Sequence, residues 1–247
     1  MTVHNIFQRL IAILFISFVF LTSALFFLVA LLIWLATYPF DQRLWLLHRF
    51  TCFWASLYVR VFPAWSVAIH GREKISDNKT YVIVSNHQSL VDILVAFNLF
   101  CHFKWVSKAE LFRIPLIGWN MSLNKYVRLK RGHSKSVKEM YQACETHLKQ
   151  GSSIFLFPEG TRAATGHMRE FKEGAFVLAK RLEIPILPLV INGSRNALPK
   201  NSLDFQKTQV VVQVLDAIEP ESFREITVED LTNQVRDKIQ ANLTTPD

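Results

Sequence analysis

The sequence predicts an α/β fold: a mixed, largely parallel sheet flanked by helices, preceded by an N-terminal membrane-embedded helical segment. Three observations predict it. Beyond residue 70, short Val- and Ile-rich runs of strand length alternate with segments of helical period. Several of those segments open on capping signals. From Leu10 to Phe40 the chain carries no charged residue, where a membrane-spanning helix needs about 20 apolar residues.

That N-terminal run is longer than the apolar core of a signal peptide, roughly 7–15 residues, and no small-residue cleavage site precedes its continuation through Leu32 and Trp34. It is therefore expected to be retained. The run also exceeds one perpendicular helix, which leaves both a tilted span and an excursion into one leaflet open. Pro39 ends the helix. The next stretch, "DQRLWLLHRFTCFWASLYVRVFPAW", sets Arg43, His48, Arg49 and Arg60 among Trp45, Phe50, Phe53, Trp54 and Tyr58. Interleaved cations and aromatics suit a helix at headgroup depth; the alternative is an amphipathic helix packed on the domain. Residues 1–69 are assigned to the membrane segment and interfacial helix, and 70–247 to the α/β domain.

Within the domain, "TYVIVS" (80–85), "SSIFLF" (152–157), "IPILPLVI" (184–191) and "QVVVQVL" (209–215) read as buried strands. Ser136-x-x-Glu139 is a capping-box pattern, with Val137, Met140, Tyr141, Cys144 and Leu148 on one face and Gly151 as the stop. Thr227-x-x-Asp230 opens a last helix carrying Leu231, Val235 and Ile239. Strands alternating with helices put functional groups in the loops at strand ends.

Twenty-eight Lys and Arg against twenty Asp and Glu, a formal charge of +8, favour an anionic partner without choosing among nucleic acid, phosphorylated small molecules and acidic lipid. Cys52, Cys101 and Cys144 form no CxxC pair and no cluster at zinc spacing. They read as reduced, buried thiols of a cytosol-facing protein, and no metal site is expected.

Three stretches carry candidate chemistry. In "SNHQSLVD" (85–92) a strand end presents His87, and the first turn of the following helix can fold Asp92 back beneath the imidazole. The carboxylate would then hold one ring nitrogen as donor and leave the other to accept a proton. Equally, Ser89-x-x-Asp92 is a capping pattern that needs no catalysis. A serine nucleophile, Ser85 or Ser89 beside His87, has no GxSxG elbow around it. In "FLFPEGTR" (155–162) Pro158 stops the strand, Gly160 permits a tight turn, and Glu159 and Arg162 are presented for phosphate binding or for a local ion pair. The basic segment "NKYVRLKRGHSK" holds Lys125, Arg128, Lys130, Arg131 and Lys135. It lacks the interleaved aromatics of a nucleic-acid stacking platform apart from Tyr126, and a solvated face is the alternative.

Together these stretches resemble the glycerolipid acyltransferase family typified by 1-acylglycerol-3-phosphate (lysophosphatidic acid) acyltransferases. Four blocks stand in the family's order over roughly residues 70 to 215: Asn86-His87-x4-Asp92; "KAELFRIPLIG" (108–118) followed by Lys130-Arg131; "FPEGTR" (157–162); and "IPILPL" (184–189). The resemblance implies that 70–247 is a catalytic domain. His87 would be the general base on the acceptor hydroxyl, oriented by Asp92. Arg131, Glu159 and Arg162 would help bind the glycerol phosphate, with Gly160 and Thr161 shaping that loop. Backbone amides near Ser89 are candidates for stabilising the oxyanion. The implied reaction passes a fatty acyl group from acyl-CoA or an acyl carrier protein thioester to a lysophospholipid acceptor, most simply 1-acyl-sn-glycerol 3-phosphate. Neither a metal nor a bound cofactor is implied. Membrane lipids, not nucleic acid, are the expected surroundings, with the domain on the cytoplasmic face of a membrane, in a bacterium the inner one. Two departures concern the acceptor headgroup: Ala163 where family members often have Ser, and Lys130 where they often have an acidic residue. A membrane-anchored polyanion-binding protein without catalysis is the competing class.

Overall fold

The computed structural model describes residues 3–163, 167–198 and 206–244. The first helix, α1 (Val3–Thr37), ends two residues before Pro39, whose ring cannot continue it. It is the one helix among the described residues long and apolar enough to cross a membrane. Helix α2 (Trp45–Val61) returns beside it. Ala30 and Leu47 are fully buried where the two pack. Phe26 of α1 meets Phe50 and Trp54 of α2 edge-on or tilted. Tyr58 Oη lies 3.0 Å from both Thr22 Oγ1 and Ser23 Oγ, so polar groups inside the apolar helix find partners on α2. Helix α2 also lays Cys52 and Ala55 against the domain while Trp45, Arg49 and Phe53 stay exposed. The packed reading of this helix therefore holds for its buried face, and its other face leaves aromatic and basic side chains exposed.

A seven-stranded sheet follows: β1 (Trp65–His70), β2 (Val82–Ser85), β3 (Phe103–Lys108), β4 (Val127–Leu129), β5 (Ser153–Leu156), β6 (Ile186–Asn192) and β7 (Thr208–Val214). The order is β1-β7-β6-β2-β5-β3-β4, parallel throughout except for the β6–β7 pair. Strand β1 starts ahead of the line drawn at residue 70, so the sheet takes its first strand from the N-terminal part. The other helices are α3 (Val91–Phe97), α4 (Ile117–Leu123), α5 (Ser134–Lys149), α6 (Gly174–Leu182), α7 (Ser194–Ala197), α8 (Pro220–Phe223) and α9 (Val228–Gln240).

Side chains alternate across each strand, so β2 feeds both cores. Ile83 joins Phe155 and Leu187 under α2 and α3. Val82 and Val84 join Ile154 and Ile186 under α5, α6 and α9. Helix α9 begins as read: Thr227 Oγ1 accepts the Asp230 N–H at 3.0 Å, and Leu231, Val235 and Ile239 are buried. Helix α5 does not. It starts at Ser134 with His133 as N-cap, and Ser136 Oγ instead accepts the Lys130 N–H at 2.9 Å. A local SxxE pattern was outcompeted by a backbone donor brought in by the preceding turn. Gly151, at φ +80°, ends α5, as its left-handed conformation requires.

Strand β3 holds a buried cation. Lys104 is 1% exposed and its Nζ donates to the carbonyls of Arg43 (2.7 Å) and Asn124 (2.9 Å). Desolvation pulls its pKa down to about 7. His48 of α2 is also buried, its Nε2 3.0 Å from the Cys101 carbonyl and its Nδ1 2.8 Å from Tyr126 Oη. A carbonyl only accepts, so Nε2 carries the proton and Nδ1 receives the Tyr126 hydroxyl. All three cysteines are free and buried, and burial raises their pKa values.

Candidate active site

Four adjacent parallel strands, β2, β5, β3 and β4, point their C-terminal ends the same way. Their ends deliver His87, the 157–162 loop, Lys108 and Arg131 to one edge of the sheet, the usual place for a site in an α/β fold.

His87 Nδ1 lies 2.8 Å from Asp92 Oδ2. The same oxygen accepts the backbone N–H groups of Gln88 (2.7 Å) and Ser89 (2.8 Å). Asp92 thus caps the turn and holds the histidine with one atom, so the two geometries expected from the sequence occur together. Because the same oxygen already accepts two backbone N–H bonds, Nδ1 is the donor to Asp92, and in the neutral ring that tautomer leaves the lone pair on Nε2. The amides of Gln88 and Ser89, candidates for an oxyanion site, are already committed to Asp92. The imidazole stacks on Phe157, centroids 3.9 Å apart and planes within 9°, and Phe157 stacks in turn on Trp105.

Glu159 is 3% exposed. Its Oε1 accepts the His87 N–H (2.7 Å) and its Oε2 the Arg169 N–H (2.9 Å). Burial raises its pKa, opposed by those two bonds. Each oxygen thus takes one backbone N–H, so Glu159 braces the His87 turn. Ala163 adds a second tie, its N–H donating to the His87 carbonyl at 2.9 Å. Asn86 locks the other side, its amide exchanging two 2.8 Å bonds with the backbone of Ile191.

A cavity of about 290 Å³ opens at these strand ends. His87, Arg131 and Gly160 line it, whereas Glu159, Thr161 and Arg162 do not. Two further cations do, Lys108 and Lys172. Lys108 opens the block "KAELFRIPLIG" and ends β3, but no role was read for it. Lys172 carried no signal: it reaches the site because its N–H bonds the Pro158 carbonyl (3.0 Å) and its Cε lies 3.1 Å from where a Cβ on Gly160 would stand. Gly160, at φ +71°, leaves room for it. A second cavity, about 380 Å³ and almost wholly apolar, adjoins the first through Ile93, Trp105, Ser107 and Leu111. Phe15, Ile16 and Val19 of α1 form part of its wall. Among the described residues no group of three or more His, Cys, Asp or Glu side chains is placed to hold a metal.

The family model described as Acyltransferase matches residues 66–192, just over half of the chain and the stretch that holds the paired His87 and Asp92. The chain belongs to the acyltransferase family. Among curated acyltransferases, it is 38% identical over 156 residues to a chloroplastic 1-acyl-sn-glycerol-3-phosphate acyltransferase of Arabidopsis thaliana, covering 63% of this chain and 43% of that one. It is 31% identical over 171 residues to the 1-acyl-sn-glycerol-3-phosphate acyltransferase of Pseudomonas aeruginosa, covering 69% and 64%. The chain spans about half the length of the two chloroplastic proteins that it matches, 43% and 47%. The crystal structure of the 1-acyl-sn-glycerophosphate (LPA) acyltransferase from Thermotoga maritima superposes with a TM-score of 0.79 at 22% identity, covering 96% of this chain and 95% of that one. That likeness is one of fold, and it extends over α1 and α2 as well as the acyltransferase sheet.

Proposed function

We propose that this acyltransferase moves a fatty acyl group from an acyl thioester, acyl-CoA or acyl carrier protein, to the free hydroxyl of 1-acyl-sn-glycerol 3-phosphate, forming phosphatidic acid. The observation that carries the proposal is a His87 whose Nδ1 is held by Asp92, in a cavity lined by three cations beside an apolar cavity. His87 Nε2 takes the proton of the acceptor hydroxyl as its oxygen attacks the thioester carbon. The tetrahedral intermediate collapses with cleavage of the C–S bond, and the imidazolium returns the proton to the leaving thiolate. The Asp92 carboxylate stabilises the imidazolium between those steps.

Lys108, Arg131 and Lys172 suit a phosphate monoester, the group that distinguishes this acceptor from neutral lysolipids. The apolar cavity suits an acyl chain, at about 0.8 kcal/mol for each buried methylene. Helix α1 supports work on lipids at a membrane. It runs beside α2 from Phe15 to Trp34, so the cavities sit close to whatever leaflet α1 enters. We place the catalytic domain on the cytoplasmic face, the inner membrane in a bacterium, since Arg9, Arg43 and Arg49 flank the apolar run. No cofactor or metal enters the scheme, because the base acts directly on the hydroxyl.

Lys130, replacing an acidic residue frequent in the family, supports a second reading in which another anionic lysolipid is the acceptor. Purified protein assayed with both donor types against lysophosphatidic acid and a panel of lysolipids decides between them. His87→Ala should abolish transfer with the thermal midpoint unchanged. Turnover like that of the wild type would refute His87 as the base, and no transfer by the wild-type protein with any acceptor or donor would leave a polyanion-binding protein as the better description.

A further inference from the structure

Residues 111–138 contain seven Lys and Arg and no Asp or Glu. Among the described residues, none of the seven is ion-paired with a carboxylate. The same segment exposes large apolar side chains: Ile114 is 42%, Ile117 43% and Trp119 50% exposed. Scattered exposed apolar residues need no explanation, but a patch rimmed by cations on a domain already tied to an apolar helix does.

The patch is continuous with α1. Trp119 packs its ring against Phe27 of α1, centroids 5.5 Å apart. Ile114 and Ile117 share the wall of the apolar cavity with Phe15 and Ile16. It is also rigid. A Cβ on Gly118 would lie 2.5 Å from the backbone of Phe112, so the turn and α4 are pressed together. Asn120 Nδ2 donates to Thr51 Oγ1 of α2 at 3.1 Å. Cations stand among aromatics here, with Lys125 Nζ 5.0 Å from the Tyr38 ring centroid and the Arg128 guanidinium 4.7 Å from that of Phe112. Exposed apolar side chains in a segment rich in unpaired cations are the composition of a surface that sits at the headgroup boundary of an anionic leaflet. An acidic protein or a nucleic acid would meet the charges and leave the isoleucines without a partner.

We propose that residues 111–138 form a second membrane-contact surface, on the catalytic domain itself, which inserts Ile114, Ile117 and Trp119 into an anionic lipid leaflet beneath a collar of Arg113, Lys125, Arg128 and Lys130. The proposal rests on the membrane reading of α1 and does not require the acyl-transfer reading. Docking of this surface holds the mouth of the apolar cavity at acyl-chain depth.

The test uses the full chain with one introduced cysteine carrying an environment-sensitive fluorophore, since the native cysteines are buried. Labels at Ile117→Cys, at Leu25→Cys on the exposed face of α1 and at Glu229→Cys on α9 are compared in phosphatidylcholine vesicles with and without phosphatidylglycerol, each containing a lipid-borne quencher. Labels at 117 and 25 should be quenched about twofold or more in anionic vesicles, with position 229 unquenched. Combined Arg113→Glu, Lys125→Glu and Lys130→Glu should reduce docking at 117 by about fivefold or more per cation and leave quenching at 25 unchanged. The matching Gln triple variant, lacking repulsion, should fall between. Quenching at 25 but not at 117 overturns the proposal and leaves membrane attachment standing. Equal quenching at 117 in neutral vesicles and in the charge-reversed variant overturns it too. Loss at both positions in the wild-type chain overturns the membrane reading of α1 and the proposal together.

Discussion

Replacing Asp92 by Asn separates the two tasks that one carboxylate oxygen performs. Oδ2 accepts three N–H bonds, from His87 Nδ1 and from the amides of Gln88 and Ser89, in a fully buried setting. An Asn carbonyl placed there keeps the shape and the three donors but loses the charge. At 2.8 Å and an effective dielectric of about 20, an imidazolium and a carboxylate attract by roughly 6 kcal/mol, an upper bound before desolvation is subtracted. The surviving part, about 3–5 kcal/mol, corresponds to a fall of roughly 10²–10⁴ in kcat. Stability should fall less, because each bond changes only from charge-assisted to neutral, at about 1 kcal/mol apiece. Asp92→Ala is the contrast: it strands three donors, costs about 1–3 kcal/mol for each, and lowers the thermal midpoint sharply. The assay is steady-state acyl transfer alongside thermal unfolding of the same preparations. A D92N enzyme within tenfold of wild-type kcat would reduce Asp92 to a cap and refute its part in stabilising the imidazolium.

Glu159→Gln leaves one carbonyl for two backbone donors, so kcat should fall while KM for the acceptor stays nearly constant, with about 1–3 kcal/mol lost in stability; a rise in KM alone would make Glu159 a substrate ligand. Lys172→Ala should do the reverse, raising KM for a phosphate-bearing acceptor about 10–100-fold with kcat less affected. Lys104 predicts a pH dependence: its folded pKa of about 7 lies below the ordinary lysine value, so the unfolded chain binds more protons between the two. Stability relative to Lys104→Met should therefore rise with pH above about 7, by at most about 1.4 kcal/mol per pH unit, and flatten below it, as followed by thermal unfolding in detergent. An unchanged difference across that window would mean that the amine keeps its proton.

The four apolar runs read as strands all lie in the sheet because Val- and Ile-rich segments between turn signals have few alternatives to burial. Strand β3, "FKWVSK", escaped notice since a lysine at its second position breaks the apolar pattern, and only carbonyls from Arg43 and Asn124, distant in sequence, make Lys104 tolerable there. The reversal of β7 relative to β6 was equally hidden, because strand direction depends on how the connecting segment packs. At the site, His87 and Asp92 were legible from spacing and flanking structure. The duty of Glu159 was not: a carboxylate in a loop looks the same whether it faces a ligand or the amides of His87 and Arg169.

What the sequence determined by itself was the set of local facts: an apolar helix long enough to cross a membrane, strands that must be buried, and a histidine delivered to a strand end with an aspartate one turn on. Those follow from short-range geometry and the cost of exposing or burying particular side chains. Only the tertiary structure decided which cations surround His87, that both oxygens of Glu159 meet backbone amides, and that exposed isoleucines lie beside α1. These depend on approaches between residues tens of positions apart, which pattern and propensity do not encode.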